Sequence, residues 1–78
     1  MASLQVILLS PASPIFEGEA QQVILPGEQG VFEVHPFHRP LVSRLLPGRV
    51  VVDDRLFSIR RGVVKVYGNT VTALVEPT

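Results

Sequence analysis

Both histidines of the chain lie in the segment Leu25–Val42, close to a glutamate that could share a metal ion with them. On an extended strand Glu33 and His35 project to the same side, and Pro36 turns the chain before His38. A zinc site usually needs three or four nitrogen, sulfur or oxygen ligands in a near-tetrahedral array. The chain has no third histidine and no cysteine, so remote carboxylates would have to complete the site. We therefore favour a polar strand edge over a metal site.

Other catalytic arrangements find less support in the sequence. Ser43 and Ser58 lie in strand-like runs without the G-x-S-x-G pattern of a nucleophile elbow. Asp53 and Asp54 would point to opposite faces of a strand, so this pair is interpreted as turn-forming residues. The segment "PGEQG" lacks the spacing and the lysine of a phosphate-binding loop. No cofactor motif is present, and the sequence predicts a protein that is not an enzyme.

Length and composition indicate a small globular protein. With 78 residues, the chain has room for one domain, residues 1–78. Its hydrophobic content of 46% allows a packed core, and the absence of cysteine excludes disulfides. The apolar run near the N-terminus is shorter than the roughly 20 residues that cross a bilayer. A net charge of zero and a single tyrosine do not favour nucleic-acid binding.

Charge is distributed unevenly along the chain. All acidic residues of segment 1–38 are glutamates, and this segment has no lysine or arginine, whereas all seven basic residues fall in segment 39–78. One interpretation, which we favour, is that strands from both halves interleave and the asymmetry averages out in space. The other is a surface with two signs of charge that orients a partner.

Turn signals and short β-rich runs predict an all-β fold. No window of a dozen residues has helical periodicity without a proline or glycine interrupting it. Runs of four to six residues recur at intervals of about ten, which is typical of a sandwich or barrel. We expect a two-sheet β-sandwich of roughly eight to ten strands, with Val64, Val66 and Val71 in the core and Lys65 and Thr72 facing water. Turns are expected at Pro47-Gly48, Asp53-Asp54 and Gly68-Asn69, with a bend or bulge at Arg61-Gly62.

Two irregular segments are the most suitable for contacts with other molecules. "LPGEQG" suits a protruding hairpin, in which Gly27 and Gly30 can adopt positive φ and Glu28 and Gln29 are exposed at the tip. In "HPFHRP" two prolines predict a rigid crossing between sheets. Phe37 would there be either part of the core or an exposed anchor for a partner.

The order of these motifs resembles the epsilon subunit of F-type ATP synthases. The resemblance rests on "FEGE", "VILPGEQGVFEV", a Pro-x-His-x-Pro-Leu-Val segment, a Leu-Pro-Gly-x-Val turn and "GVVKVYGNTVTALVE", and it covers residues 4–76. It implies the N-terminal β-sandwich domain of that subunit, without the two-helix C-terminal region that regulates ATP hydrolysis. Three residues depart from the family pattern: Glu33, Phe37 and Arg39. Phe37 stands where the family usually has a glycine.

The resemblance implies a non-catalytic rotor subunit in the central stalk of a proton- or sodium-translocating ATP synthase. Its partners would be the gamma subunit and the ring of membrane c subunits, and it would lie peripherally on the cytoplasmic face of the membrane, with no cofactor. Residues implied to contact the c ring are Glu28, Gln29, Gly30 and Val31. Residues implied to contact gamma are His38, Arg39, Pro40 and Val42.

Two further interpretations remain open from the sequence. An unrelated β-sandwich that binds another protein or a carbohydrate is the main alternative, although a carbohydrate site usually displays several exposed aromatic side chains. A small enzyme of the cupin type would need more histidines on adjacent strands. The apolar segment Leu41–Val52 also predicts self-association if no partner covers it.

Overall fold

The computed structural model describes residues 2–78, which form β-strands joined by short turns. The eight strands are β1 (Leu4–Leu9), β2 (Pro14–Ala20), β3 (Val23–Gly27), β4 (Gly30–Val34), β5 (Leu41–Leu45), β6 (Gly48–Val52), β7 (Arg55–Tyr67) and β8 (Thr70–Pro77). The part of the chain that the structure describes contains no helix. The all-β prediction is confirmed, at the lower limit of the expected strand number.

Backbone pairing arranges the strands in two layers that share the long strand β7. One layer has the order β2-β1-β8-β7-β5, in which β1 and β8 run parallel and the other pairs are antiparallel. In the other layer the first half of β7 pairs with β6, β6 pairs with β3, and β3 pairs with β4. A bridge between Gly27 and Leu45 also joins β3 to β5. The fold is therefore a β-sandwich whose layers are connected by hydrogen bonds along one side.

Strand β7 passes from one layer to the other near its middle. The register with β8 shifts between Ile59 and Arg61, as in a β-bulge, which increases the local bend of a strand. At Gly62 an added Cβ would lie 2.6 Å from the carbonyl oxygen of Leu74 and 2.7 Å from Val75 Cγ1. Only glycine fits this close approach of β7 to β8. The bend predicted at Arg61-Gly62 is confirmed.

The core between the layers is entirely aliphatic among residues 2–78, with no buried polar side chain. Phe16 and Phe57, with ring centroids 5.9 Å apart, pack against it from outside. Each buried valine or leucine contributes about 1.5–3 kcal/mol relative to an exposed one. The core residues are Leu4, Val6, Leu8, Ala20, Val23, Leu25, Val34, Leu45, Val50, Val52, Ile59, Val64, Val66, Val71, Ala73 and Val75.

The expected alternation of β7 and β8 is confirmed. Val64, Val66 and Val71 are buried, Lys65 is exposed and Thr72 is half-buried. The turns predicted at Asp53-Asp54 and Gly68-Asn69 lie between consecutive strands, and at Pro47-Gly48 the bend is at Pro47 while Gly48 begins β6. Gly68 and Asn69 have φ of 57° and 61°, a left-handed pair that suits a two-residue hairpin.

Asp53 has a second role that its turn position does not reveal. Its Oδ1 accepts hydrogen bonds from the backbone N–H groups of Gln21 (2.9 Å) and Gln22 (3.1 Å). Its own N–H donates to the Gln22 carbonyl oxygen at 3.1 Å. These bonds join the β6–β7 turn to the link between β2 and β3, so the Asp53 contact connects the two layers.

The strand order also shows how the charged halves are arranged. Strands from the first half of the chain lie at both ends of the order, and β7, β8 and β5 from the second half lie between them. The acidic side chains of β2 and β4 therefore lie at the outer strands, and the basic side chains lie nearer the middle. Interleaving occurs, as favoured from the sequence, but it leaves the two signs of charge partly separated.

Candidate protein-docking surface

The residues expected to contact two different partners line one open groove of about 680 Å³. One wall is the hairpin segment 27–32, and the other contains His38, Arg39 and segment 41–44, with Val63 also in the lining. Of the eight residues singled out from the sequence, Pro40 alone does not line the groove. Segments that are separate in the sequence thus form a continuous surface.

The first wall is the tip of the β3–β4 hairpin. Gly27 pairs with Gly30, which leaves Glu28 and Gln29 as an exposed two-residue connection, as predicted. Gly30 has φ of 121°, a conformation open mainly to glycine. Val31 follows with 72% of its side chain exposed. An apolar side chain next to a polar tip is suited to contact with another protein.

Gly27 differs from the expectation that both glycines take positive φ, because only Gly30 does so. Gly27 is required for a different reason. An added Cβ would lie 2.7 Å from an edge atom of the Phe32 ring, so the ring packs directly on the Gly27 backbone. This contact fixes Phe32, which lines the groove.

The second wall is an edge of β5. This strand pairs with β7 over its whole length, Leu41–Leu45, but on its other side it meets β3 only at Leu45. The backbone of Leu41–Arg44 therefore faces the groove without a neighbouring strand among the described residues. Val42 is 75% exposed. An open strand edge beside an exposed valine is a surface to which another chain can bind.

An exposed ion pair joins the two walls. Arg44 Nη1 lies 3.9 Å from Glu28 Oε2, and the two side chains are 79% and 52% exposed. Such a pair contributes only about 0–1 kcal/mol, since water screens both charges. Either side chain can therefore exchange this contact for one with a partner at little cost in stability.

An apolar strip extends from the groove across the outer face of the first layer. Val63 pairs with Leu74 on one side and with Arg44 on the other, and about half of each apolar side chain is exposed. Arg61 borders this strip and bonds Glu76 through Nε at 2.9 Å. Val63 and Leu74 were not among the surface residues expected from the sequence. The adjacent pair Val63-Val64 was a possible signal, because one of two neighbouring strand residues must face outward.

The possible metal ligands do not converge. His35 Nε2 lies 3.0 Å from Glu33 Oε1, with both side chains more than half exposed. His38 is directed elsewhere, and its Nδ1 lies 2.7 Å from the Arg39 carbonyl oxygen. Residues 2–78 contain no group of three histidine, cysteine, aspartate or glutamate side chains arranged to bind one ion. Glu33 on the edge strand β4 and His35 just after that strand thus form an exposed polar pair.

Phe37 is exposed, so the core position that the sequence left open for it is excluded. The residue is 80% accessible and its backbone has φ of 68°. The Phe37 N–H donates to Asn69 Oδ1 at 2.6 Å, and the His38 N–H donates to the His35 carbonyl oxygen at 3.1 Å. The crossing segment is therefore attached to the β7–β8 turn, with the aromatic ring directed to solvent.

The fold is a small β-sandwich, and an open groove, an unpaired strand edge and several exposed apolar side chains lie together on its surface. The family model for the beta-sandwich domain of the ATP synthase delta/epsilon chain matches residues 3–77. The chain belongs to this family, which confirms the resemblance found in its motifs.

Curated relatives agree with the family assignment. The chain is 38% identical to the ATP synthase epsilon chain of Bordetella parapertussis over 97% of its own length. It is 39% identical to that of Bordetella avium and 37% identical to that of Xanthomonas campestris pv. campestris. The chain spans 58% of the length of the Bordetella parapertussis relative.

Two solved structures share the fold. One comes from the central stalk and c ring of Tetrahymena thermophila mitochondrial ATP synthase, with a TM-score of 0.81 and 16% identity over 96% of this chain and 64% of that one. The other comes from Euglena gracilis mitochondrial ATP synthase, with a TM-score of 0.88 and 18% identity over 96% of this chain and 51% of that one. Within residues 2–78 there is no helix that could cross a membrane.

Proposed function

We propose that the protein is a non-catalytic rotor subunit of an F-type ATP synthase, which joins the gamma subunit to the c ring. The observation that carries this proposal is the groove between the β3–β4 hairpin and the open edge of β5, in a chain of the epsilon family. The hairpin tip, Glu28–Val31, binds the polar loops of the c ring. The opposite wall, His38–Val42, binds gamma.

The shared groove adds a geometric consequence to this proposal. Because both sets of residues line one depression, the two partners meet at this domain and do not lie on opposite faces of it. The domain then lies in the angle between the gamma subunit and the c ring. It resists sliding between them because its aliphatic core is closely packed and its layers are joined by hydrogen bonds.

Such a component needs adhesion and rigidity but no chemical step. Exposed apolar side chains such as Val31 and Val42 supply apolar surface that is buried on binding. The charges of Glu28, Arg39 and Arg44 orient the partner subunits as they approach. The complex would hold the domain peripherally at the cytoplasmic face of the membrane. The coupling ion, proton or sodium, is a property of the ring.

The test separates the two partners by a charge change at the hairpin tip. Glu28→Lys with Gln29→Lys reverses the sign of the tip, and we expect it to reduce binding to purified c ring while binding to gamma is retained. The matched control is Glu17→Lys with Gln21→Lys, which makes the same charge change on or next to the edge strand β2, at the opposite end of the strand order.

Co-purification with the ring and titration with gamma provide the two measurements. Loss of ring binding in the hairpin variant alone supports the assignment, and a circular dichroism spectrum like that of the unmodified chain shows that the fold is intact. If the unmodified chain binds neither gamma nor the ring, the proposed function is wrong. The alternative of an unrelated protein-binding sandwich would then be preferred.

A further inference from the structure

Phe37 combines two features that both act against folding. A bulky residue with φ of 68° is a backbone outlier, since its Cβ crowds the neighbouring carbonyl group in the left-handed region. Phe37 also has the highest exposure, 80% of the residue, among the exposed large hydrophobic residues of segment 2–78. The ring therefore adds little to the core, and a strained residue of this kind indicates a role outside folding.

Hydrogen bonds on both sides hold this strained turn in place. Asn69 Oδ1 accepts the Phe37 N–H at 2.6 Å. Asn69 itself has φ of 61°, and its carbonyl oxygen accepts the N–H of Gln5 at 2.8 Å. The turn is therefore anchored to the β7–β8 hairpin and, through it, to the start of β1. An aromatic ring on such a fixed backbone loses little conformational freedom when a partner binds it.

We propose that Phe37 is the anchor side chain of the interface formed by His38–Val42, and that its ring enters an apolar cavity on the subunit bound there. The inference rests on the proposed function, under which that subunit is gamma. Phe37 does not line the groove itself, but it directly precedes His38 and Arg39, which do. Buried aromatic anchors commonly dominate the energetics of protein interfaces.

The neighbouring side chains define the chemistry that the cavity requires. Arg39 is exposed two residues later, and Tyr67, 66% exposed, directly precedes the Gly68-Asn69 turn to which Phe37 is bonded. A complementary site is apolar at its base to accept the ring, and it carries acidic groups at its mouth to meet Arg39. This combination distinguishes the occupant from a lipid surface, which would offer no fixed cavity.

Two substitutions separate the ring from the backbone. Phe37→Ala removes the ring and keeps the left-handed strain of a residue with Cβ, whereas Phe37→Gly removes both. The control is Leu56→Ala, which truncates a 58% exposed side chain on β7 where that strand pairs with β6. Calorimetric titration of the whole chain with gamma from the same organism measures the dissociation constant, and thermal melting measures stability.

We expect both Phe37 variants to bind gamma about tenfold more weakly or worse, as for a hot-spot residue. Leu56→Ala binds as the unmodified chain does. Phe37→Gly melts no lower than the unmodified chain, because the strain is relieved and no core contact is lost. This combination, with weaker binding and undiminished stability, is the result that a purely structural role would not produce.

Four results overturn the inference. If both Phe37 variants bind gamma like the unmodified chain, the anchor role is wrong while the proposed function stands. If Phe37→Ala weakens binding and Phe37→Gly restores it, the backbone and not the ring is responsible. If sedimentation shows that Phe37 joins two copies of this chain, the ring is covered by a second copy. Absence of any binding between the unmodified chain and gamma rejects the inference together with the proposed function.

Discussion

The contact made by Asp53 allows a quantitative prediction about stability. Asp53→Ala removes the acceptor of two backbone N–H groups, those of Gln21 and Gln22. Hydrogen bonds to charged groups contribute about 1.5–3 kcal/mol each in buried sites, and at this exposed turn, where water competes, about 1 kcal/mol each is appropriate. Alanine must also adopt the φ of 54° found at this position, which costs about 1 kcal/mol more. We therefore expect a loss of about 3 kcal/mol.

This loss is large for so small a domain. At about 0.05–0.15 kcal/mol per residue, the free energy of unfolding of the whole chain is about 4–12 kcal/mol. In a domain of this size 1 kcal/mol corresponds to roughly 4–8 °C, so Asp53→Ala should lower Tm by roughly 12–24 °C. Urea titration and thermal melting, both followed by circular dichroism, give the two quantities independently.

Companion variants separate the contributions. Asp53→Gly removes the hydrogen bonds, but glycine adopts the backbone conformation without strain. This variant should lower the free energy of unfolding by about 2 kcal/mol. Asp53→Asn keeps an acceptor oxygen and tolerates left-handed φ, so its cost should be about 1 kcal/mol. Asp54→Ala is the control, because the Asp54 side chain makes no hydrogen bond within residues 2–78. Equal stabilities of Asp53→Ala and Asp54→Ala would refute the proposed link between the layers.

Two other predictions concern the opposite wall of the groove and the crossing of β7. His38→Ala with Arg39→Ala should weaken binding to gamma and preserve binding to the c ring, which is the reverse of the effect expected for the hairpin variant. Titration with each partner measures both affinities. An unchanged affinity for gamma would contradict the assignment of the β5 edge. Gly62→Ala should reduce stability by about 1–3 kcal/mol, because its Cβ meets the β8 backbone. Urea denaturation measures that loss. An unaltered denaturation midpoint would show that β7 and β8 can move apart to accept the added Cβ without loss of stability.

Much of the fold follows from local rules that a short strand obeys. Proline, glycine and paired aspartates mark the turns because each restricts or permits particular φ values, and the structure has turns at these places. Alternation in β7 and β8 identified Val64, Val66 and Val71 as core residues because a strand has only two faces. These predictions depend on neighbours in sequence, so the sequence was sufficient for them.

Predictions that depend on distant neighbours were incomplete. The expectation for Gly27 considered φ alone, and the actual constraint is the Phe32 ring from the paired strand. Asp53 was recognised as a turn residue, but its bonds to Gln21 and Gln22 cross about thirty residues of sequence. Phe37 could not be assigned to core or surface, because that choice depends on whether Asn69 lies close enough to hold its backbone.

The sequence by itself determined the all-β class, the turn positions, the core face of the later strands and, through the order of its motifs, the family. Tertiary structure decided that the hairpin tip and the edge of β5 line one groove, that Phe37 faces solvent and that Val63 and Leu74 extend the apolar surface. The physical reason is that periodicity and turn chemistry act over a few residues. A surface, in contrast, arises from strand pairing between segments far apart in the chain, whose relative positions are set only when both layers close on a common core.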